Sequence, residues 1–525
     1  MMVEQHKIAP KKAIFAASLG AIFEWYDFFL YGTLAVFFGQ LFFPSSDPLS
    51  SLLNSLAVFG AGFVVRPLGG AFFGYIGDKF GRKVAFLATI ITMGLSTAMV
   101  GMLPSYEAIG IAAPIILVML RLLQGLALGG EYGGAAIYVA EHVAINRRGF
   151  YTSWIQTTAT LGFFASLAII SSTYLLLGAE DFKSWGWRIP FLVSIILLLI
   201  SVYIRLKLQE SPIFSKLKNK DQLSKKPLRE SFTRAGNRYY LLLALIVTAG
   251  QGAICYAGQL YALIFLQNSI KLDMLTSYLL VGIAQLIAIP FFPLFGWLSD
   301  RVGRKAVLLA GLIVPVFLLM PAFQQLSKSI NPALSMAEEK APVVLIVPAE
   351  CSAKCQEARK FLAGFGISYQ FQTDISLDAG HIKMQVGQSQ LDSFDPNMWK
   401  NVLQQYQYPM QIDYTQINYA SALLILSALM ICVALIYAPI GAFLVDIFPA
   451  QIRYSSLSVT YHIGSGWFGG FMPLVATALV SRTGDIHAGI WYPTIVGAVV
   501  FVLTFIFLSS KKLAEAKSHD AKILE

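Results

Sequence analysis

The chain is poor in charge. Only 13% of its 525 residues are Asp, Glu, Lys or Arg, against 56% hydrophobic, and the mean hydropathy is +0.64. Soluble domains hold about 25% charged residues and rarely exceed about half apolar, so a soluble fold is excluded. Cysteine is also sparse, with four residues: Cys255, Cys351, Cys355 and Cys432. Cys351 and Cys355 are spaced C-x-x-x-C, not C-x-x-C, and no second Cys/His pair lies near them. Neither a redox C-x-x-C motif nor a zinc site is supported. No G-x-x-x-x-G-K-[ST] run is present, so ATP-driven chemistry lacks its phosphate-binding loop. No cofactor and no metal are implied. A cleavable signal is missing too: the first apolar run begins near Ala13, is too long for a signal h-region and has no clear cleavage site.

What the chain has is apolar length, in runs of about twenty residues or more, enough to cross a bilayer. Spans are expected at 13–43, 52–76, 84–103, 112–139, 150–177 and 188–208, then at 239–267, 275–298, 306–325, 417–445, 457–481 and 489–509. This divides the chain into an N-terminal six-helix bundle (1–208), a cytoplasmic inter-half linker (209–237), the first part of a C-terminal bundle (238–325), an insert (326–416), and the rest of that bundle with its tail (417–525). The net charge of +10 sits in short loops and tails, among them Lys79, Arg82, Lys83, Arg147, Arg148, Arg301, Arg304 and Lys305. Alternate loops carry almost none, which places both termini in the cytoplasm of a multi-pass cell (inner) membrane protein. The basic charge is therefore matched to the lipid surface and not to nucleic acid.

One stretch occurs twice. Gly74-Tyr75-Ile76-Gly77-Asp78-Lys79-Phe80-Gly81-Arg82-Lys83 and Gly296-Trp297-Leu298-Ser299-Asp300-Arg301-Val302-Gly303-Arg304-Lys305 both read G-x-x-x-D-[KR]-x-G-R-K, each between two apolar runs. Such a repeat implies two homologous halves. The doubled motif resembles the loop signature of the major facilitator superfamily. The resemblance implies a gating role for Gly74, Asp78, Gly81, Arg82, Asp300, Gly303 and Arg304, with each Asp near a helix N-terminus of the other half. An acid there gains roughly 0.3–1 kcal/mol.

Charges inside the spans are costly, about 2.5–3.5 kcal/mol each on insertion scales, and must face protein or water. Glu24 and Asp27 lie three apart in the first span and share a face. Arg66 lies in the second span, and Arg121 and Glu131 in the fourth. Each arginine needs an anion: Asp27, Glu131 or a substrate carboxylate. In the second half, polar candidates are Gln251, Tyr256, Gln259 and Tyr261, with Trp154 and Gln156 of the fifth span expected to face them; His462 stands in the eleventh span. For each of these, a structural role is the competing reading.

The runs E-W-Y-D-F, R-P-x-G-G, R-L-x-Q-G…G-G-E-Y-G-G, Trp187-Arg188-Ile189-Pro190, Glu210-Ser211-Pro212 and Asp446-Ile447-Phe448-Pro449…Ile452-Arg453 resemble the metabolite:proton symporter family within that superfamily. It includes permeases for α-ketoglutarate, citrate, shikimate and proline/glycine betaine. The resemblance implies proton-coupled uptake, with Asp27 and Arg121 as coupling groups; Arg188 and Glu210 sit near the membrane edges and are expected to be structural. The fold expected is all-α, twelve transmembrane helices in two pseudo-symmetric bundles, and the partners expected are a small-molecule substrate, protons and the bilayer. With two intramembrane arginines, an organic acid is favoured; a proline/betaine-like osmolyte symporter, a proton-independent facilitator and a membrane-anchored thiol redox protein are the alternatives.

The insert is too polar to span. Strands are expected at 341–348, 368–372 and 381–386 and a helix at 357–365, forming a small extracytoplasmic α/β domain. In an oxidising outer compartment, Cys351 and Cys355 are candidates for a disulfide.

Overall fold

The computed structural model describes residues 10–45, 47–206, 226–234, 236–348, 353–375 and 381–509, with isolated positions 215, 218, 219, 224, 377 and 513. Among these, 11 helices are long and apolar enough to cross a membrane, and 12 if the pair Ser18–Thr33 and Ala35–Phe42, bent by 59°, is one span. The following five are Pro48–Lys79, Lys83–Met102, Ala112–Glu141, Ile145–Gly186 and Arg188–Leu206. The second six are Asn237–Ser269, Met274–Val302, Arg304–Ile330, Tyr419–Ile447, Arg453–Thr483 and Ala488–Phe507. The protein is a multi-pass, all-α membrane protein with a small sheet-bearing insert. Of the expected residues, Cys351 and Glu210 lie outside the described ones, and so do the side chains of Arg82 and Glu131.

Local chemistry sets the helix ends and breaks. Asp47 caps the second span, accepting from the Leu49 and Ser50 amides at 3.3 and 3.2 Å, with Pro48 following at a position that needs no donor. Pro67 cannot continue a helix, so the second span is interrupted at Val65 and restarts at Arg66. The seventh and eleventh spans carry π-helical turns at Ala257–Tyr261, Phe265–Ser269 and His462–Trp467, a local widening often found at functional sites. The seventh span is 83% buried along its apolar window and the sixth only 28%. The seventh is therefore interior and the sixth faces lipid.

The insert is a four-stranded sheet in the order β2-β1-β3-β4, with β1 Val343–Val347, β2 Tyr369–Thr373, β3 Lys383–Val386 and β4 Ser389–Leu391. β1 runs parallel to β2 and antiparallel to β3. Leu345 of β1 pairs with Phe371 on one side and Met384 on the other, and Val343, Leu345, Met384, Trp399 and Leu403 form a core separate from that of the spans. The helix after β1 runs Ala353–Gly364, longer than the sequence suggests; helices Pro332–Lys340 and Pro396–Gln405 and strand β4 complete the unit. Cys355 is disulfide-bonded, and Cys255 and Cys432 are free. The insert is tied to the turn before the last span: the Tyr369 amide donates to Gly484 O at 3.1 Å, and the Arg359 guanidinium to Ser481 O.

Candidate functional site

Glycines bring the second and fourth spans into backbone contact. A Cβ on Gly125 would lie 1.9 Å from Gly62 O, and one on Gly129 2.2 Å from Arg66 O. Only glycine allows this approach. It sets Arg66 and Arg121 beside one another, both almost fully buried. Their guanidinium carbons lie 4.2 and 5.1 Å from the same Phe28 ring. Arg66 also stacks on Phe63 at 3.7 Å, and Arg121 on Tyr31 at 4.4 Å.

Neither arginine is in an ion pair among the described residues. Arg121 Nη1 donates to Gln124 Oε1 at 2.7 Å, but its Nε and Nη2, and the Nε and Nη2 of Arg66, have no hydrogen-bond partner. A guanidinium buried in this way is costly unless an anion completes it. The second half closes the site with tyrosines. Tyr256 packs its ring on Phe63 at 5.4 Å, and Tyr256, Tyr437 and Tyr461 lie within electrostatic reach of Arg66. Tyr437 and Tyr461 share a hydroxyl contact at 3.1 Å. His462, with no hydrogen bond on either ring nitrogen, stacks edge-on against Tyr461 at 5.2 Å.

The first-span acids do not join this group. Glu24 pairs with Arg205 at 2.9 Å, a buried ion pair inside the first half. Asp27 accepts from Ser194 Oγ at 2.5 Å. As an anion for Arg66 or Arg121, Asp27 is therefore ruled out among the described residues: consecutive residues on a helix point about 100° apart, so Asp27 faces the sixth span while Phe28 faces the arginines. Trp154 is a second correction. It is 39% exposed and points outward, not toward the seventh span. Gln156 is buried but lies against Gly441 of the tenth span. Gln251 bonds Cys255 Sγ at 3.3 Å within its own helix, Gln259 reaches Thr160 of the first half at 3.2 Å, and Tyr261 packs beside Phe323. Gln259 lies within the π turn Ala257–Tyr261, which begins directly after Tyr256. Arg188 stacks on Trp187 at 4.4 Å and donates to Leu103 O.

The two motif loops lie at one end of the bundles. Asp78 Oδ2 accepts from the Ser455 amide and hydroxyl at 3.0 and 2.7 Å, at the N-terminus of the eleventh span. Asp300 accepts from the Gly149 and Phe150 amides at 2.9 and 2.8 Å, at the N-terminus of the fifth. Each acid thus sits on the helix N-terminus of the opposite half. A Cβ on Gly74 would lie 3.1 Å from the Ser455 Cα. Gly81 and Gly303 adopt φ of 118° and 94° in the turns, open to glycine but strained for other residues. Arg304 pairs with Asp300 at 2.7 Å and with Asp446 at 3.4 Å. Two further buried pairs cross between the halves, Arg148–Asp446 and Arg453–Glu141, both at 3.1 Å. These were not singled out as a set from the sequence, although a signal exists: an acid, six residues, then Arg, once as Glu141…Arg148 and once as Asp446…Arg453.

A family model described as sugar (and other) transporter matches residues 12–238. The glycine betaine/proline/ectoine/pipecolic acid transporter OusA of Dickeya dadantii is 38% identical over 330 residues, which are 61% of this chain and 65% of that protein, so the chain spans less than two-thirds of that relative's length. The shikimate transporter of Escherichia coli is 36% identical, over 69% of this chain and 82% of that protein. A putative proline/betaine transporter of Staphylococcus aureus is 31% identical over 95% of this chain and 89% of that protein. The fold matches the xylose transporter XylE from E. coli with a TM-score of 0.61 at 15% identity, over 95% of this chain and 98% of that one. A further structure of XylE is that of a major facilitator superfamily proton:xylose symporter bound to 6-bromo-6-deoxy-D-glucose. With relatives aligned along almost its whole length and two repeated motif loops in matching places, the chain belongs to the major facilitator superfamily, among its sugar and metabolite transporters.

Proposed function

We propose that the protein is a secondary transporter that takes up a small carboxylate-bearing solute together with protons, by alternating access of its two halves. The observation that carries this reading is the pair Arg66 and Arg121, buried between the halves with guanidinium nitrogens unfilled. A guanidinium binds a carboxylate through two parallel hydrogen bonds. Tyr256, Tyr437 and Tyr461 of the second half reach the same place, so a solute bound there touches both halves at once. The substrate best supported is a zwitterion of the proline or betaine kind. Two of the relatives named above carry such solutes in their names, and the aromatic faces around the arginines suit an ammonium group as well as a guanidinium. The organic acid favoured by the arginine count alone is the second reading, supported by the shikimate relative.

In this reading the motif end faces the cytoplasm, where the Lys/Arg-rich loops lie, both termini lie on that side of the inner membrane, and the insert lies outside. The ion pairs Arg148–Asp446 and Arg453–Glu141 close the cytoplasmic gate. Asp27, next to Phe28 on the first span and held by Ser194 of the sixth, takes and releases the proton. Glu24, bound to Arg205, braces the first half.

The test is uptake into proteoliposomes under an imposed inward proton gradient, with labelled proline, glycine betaine, shikimate, α-ketoglutarate and citrate in parallel. Accumulation of one compound that collapses with a protonophore and in Asp27→Asn supports symport and names the substrate. Equilibration without accumulation removes Asp27 from the mechanism and leaves a facilitator. No movement of any compound defeats the substrate reading.

A further inference from the structure

A cavity of about 550 Å3 lies at the end of the bundles opposite the two motif loops. Four segments distant in sequence wall it: the start of the second span at Asp47–Ser50, the end of the seventh span from Asn268 on to Lys271, the insert helix with Arg359 and Lys360, and the turn 481–486 before the last span. The first half, the second half and the insert all contribute. The charge is one-sided, with three cations and one acid. Asp47 is already engaged, accepting from the Leu49 and Ser50 amides and from Ser50 Oγ at 2.6 Å. Arg359 is oriented by Ser481 O and by the Tyr369 hydroxyl. Lys271 and Lys360 are in no ion pair among the described residues.

The backbone is arranged to present Lys271. It is one of two non-glycine residues with positive φ among the described ones, at 70°. A side chain adopts that conformation only where its surroundings impose it, and such positions cluster at ligand sites. Here the Leu272 amide, bonded to Leu266 O at 2.9 Å, fixes the turn. Gly366, φ 71°, brings the insert against it: a Cβ there would lie 2.5 Å from Ser269 O and 3.6 Å from the Lys271 stem. The Lys271 stem therefore packs beside the insert, and the residue itself remains exposed at the cavity.

We infer that the cavity is a second solute site, which binds the carboxylate of a small molecule on Lys271 and Lys360 at the junction of the insert with both halves. The size suits one small ligand. Because Asp47–Ser50 belongs to the first half and the other walls to the second half and insert, a ligand there binds well only while those parts are close. The site thus reports on the conformation of its end of the bundles. That the bound molecule is also the one carried rests on the proposed function; that the cavity binds a carboxylate rests on the cavity.

The test is equilibrium binding of labelled proline and labelled shikimate to the purified full chain in lipid nanodiscs. The variants are Lys271→Gln with Lys360→Gln, Lys271→Arg with Lys360→Arg, and Arg121→Gln. Two binding components are expected in the unaltered chain. The double Gln variant loses one, the double Arg variant keeps both, and Arg121→Gln loses the other. A double Gln variant that binds as the unaltered chain does overturns the inference. If Arg121→Gln keeps both components while the double Gln variant loses one, the central site fails and this one stands. An unaltered chain that binds neither compound defeats both.

Discussion

Arg148 in the first half donates to Asp446 in the second at 3.1 Å, and seven residues after Asp446 the second half returns the contact, Arg453 to Glu141 at the same distance. The exchange is reciprocal because the two halves repeat one local arrangement, an acid at the end of one span and an arginine at the start of the next. Asp446 also receives Arg304 of its own half, so the motif loop and the Arg148–Asp446 pair form one network. All four side chains are almost completely buried, where an ion pair is not screened by salt and the loss of one partner strands a charge.

Asp446→Asn should loosen that end. Removing one partner of a buried pair costs about 3–5 kcal/mol, and each 1.4 kcal/mol is about tenfold in population. Hydrogen exchange of the amides at 149–153 and 446–456 is expected to accelerate by about two orders of magnitude or more. Glu141→Gln should behave alike, since it breaks the mirror pair. Exchange rates equal to those of the unaltered chain would show that the pairs do not hold the halves.

Arg66→Lys should weaken solute binding despite keeping the charge. A lysine cannot present two parallel donors to a carboxylate, nor stack flat between Phe28 and Phe63. The loss of one charge-assisted hydrogen bond is worth about 1.5–3 kcal/mol, roughly 10–100-fold in affinity. The measurement is the KM of uptake at fixed pH. An unchanged KM would remove Arg66 from the binding site.

Gly125→Ala should destabilise the protein, and Gly364→Ala should not. At Gly125 the added methyl meets Gly62 O at 1.9 Å, whereas at Gly364 it meets nothing within 4 Å. Overpacking costs about 1–3 kcal/mol, and parting the second and fourth spans also separates Arg66 from Arg121. Thermal unfolding in detergent, followed by tryptophan fluorescence, should show a lower midpoint for Gly125→Ala alone.

The seating of the insert should depend on pH through Glu338. Desolvation raises its carboxyl from 4.5 to about 7, the Ser368 amide at 2.7 Å pulls the other way, and Asp485 adds to the rise. Because the folded pKa is the higher one, this contribution to stability is complete below about 4.5 and is lost as pH rises through about 7. Protection of the Tyr369 amide, which bonds Gly484 O, measured relative to its intrinsic exchange rate at each pH, should therefore fall between those values, and Glu338→Gln should abolish the dependence. A flat profile in the unaltered chain would falsify it.

Much of the fold was legible because a membrane leaves little choice. Without water in the bilayer core, backbone groups must bond within the segment, so a run of twenty apolar residues is a helix whatever its neighbours are. Proline, glycine and capping acids then fixed the breaks, as at Val65 before Arg66-Pro67 and at Asp47. The insert was read less completely. Its strands are three to five residues long, and β4, Ser389–Leu391, has no apolar alternation to distinguish it from a loop.

By itself, then, the sequence determined the number of spans, the duplication into halves and the titratable residues that lie within spans and so must face protein or water: Glu24, Asp27, Arg66, Arg121 and His462. Hydropathy and charge counts are local quantities, and they suffice for that. Only the tertiary structure decided which charge meets which. Arg205 neutralises Glu24, Ser194 takes Asp27, and Arg66 and Arg121 are left beside Phe28 with nitrogens unfilled. On an interior helix that is apolar on every side, the pattern does not set the rotation about the axis. Glycine contacts such as Gly125 on Gly62, and the π turns at Ala257–Tyr261 and His462–Trp467, set it instead, and these depend on the partner helix as much as on the residues themselves.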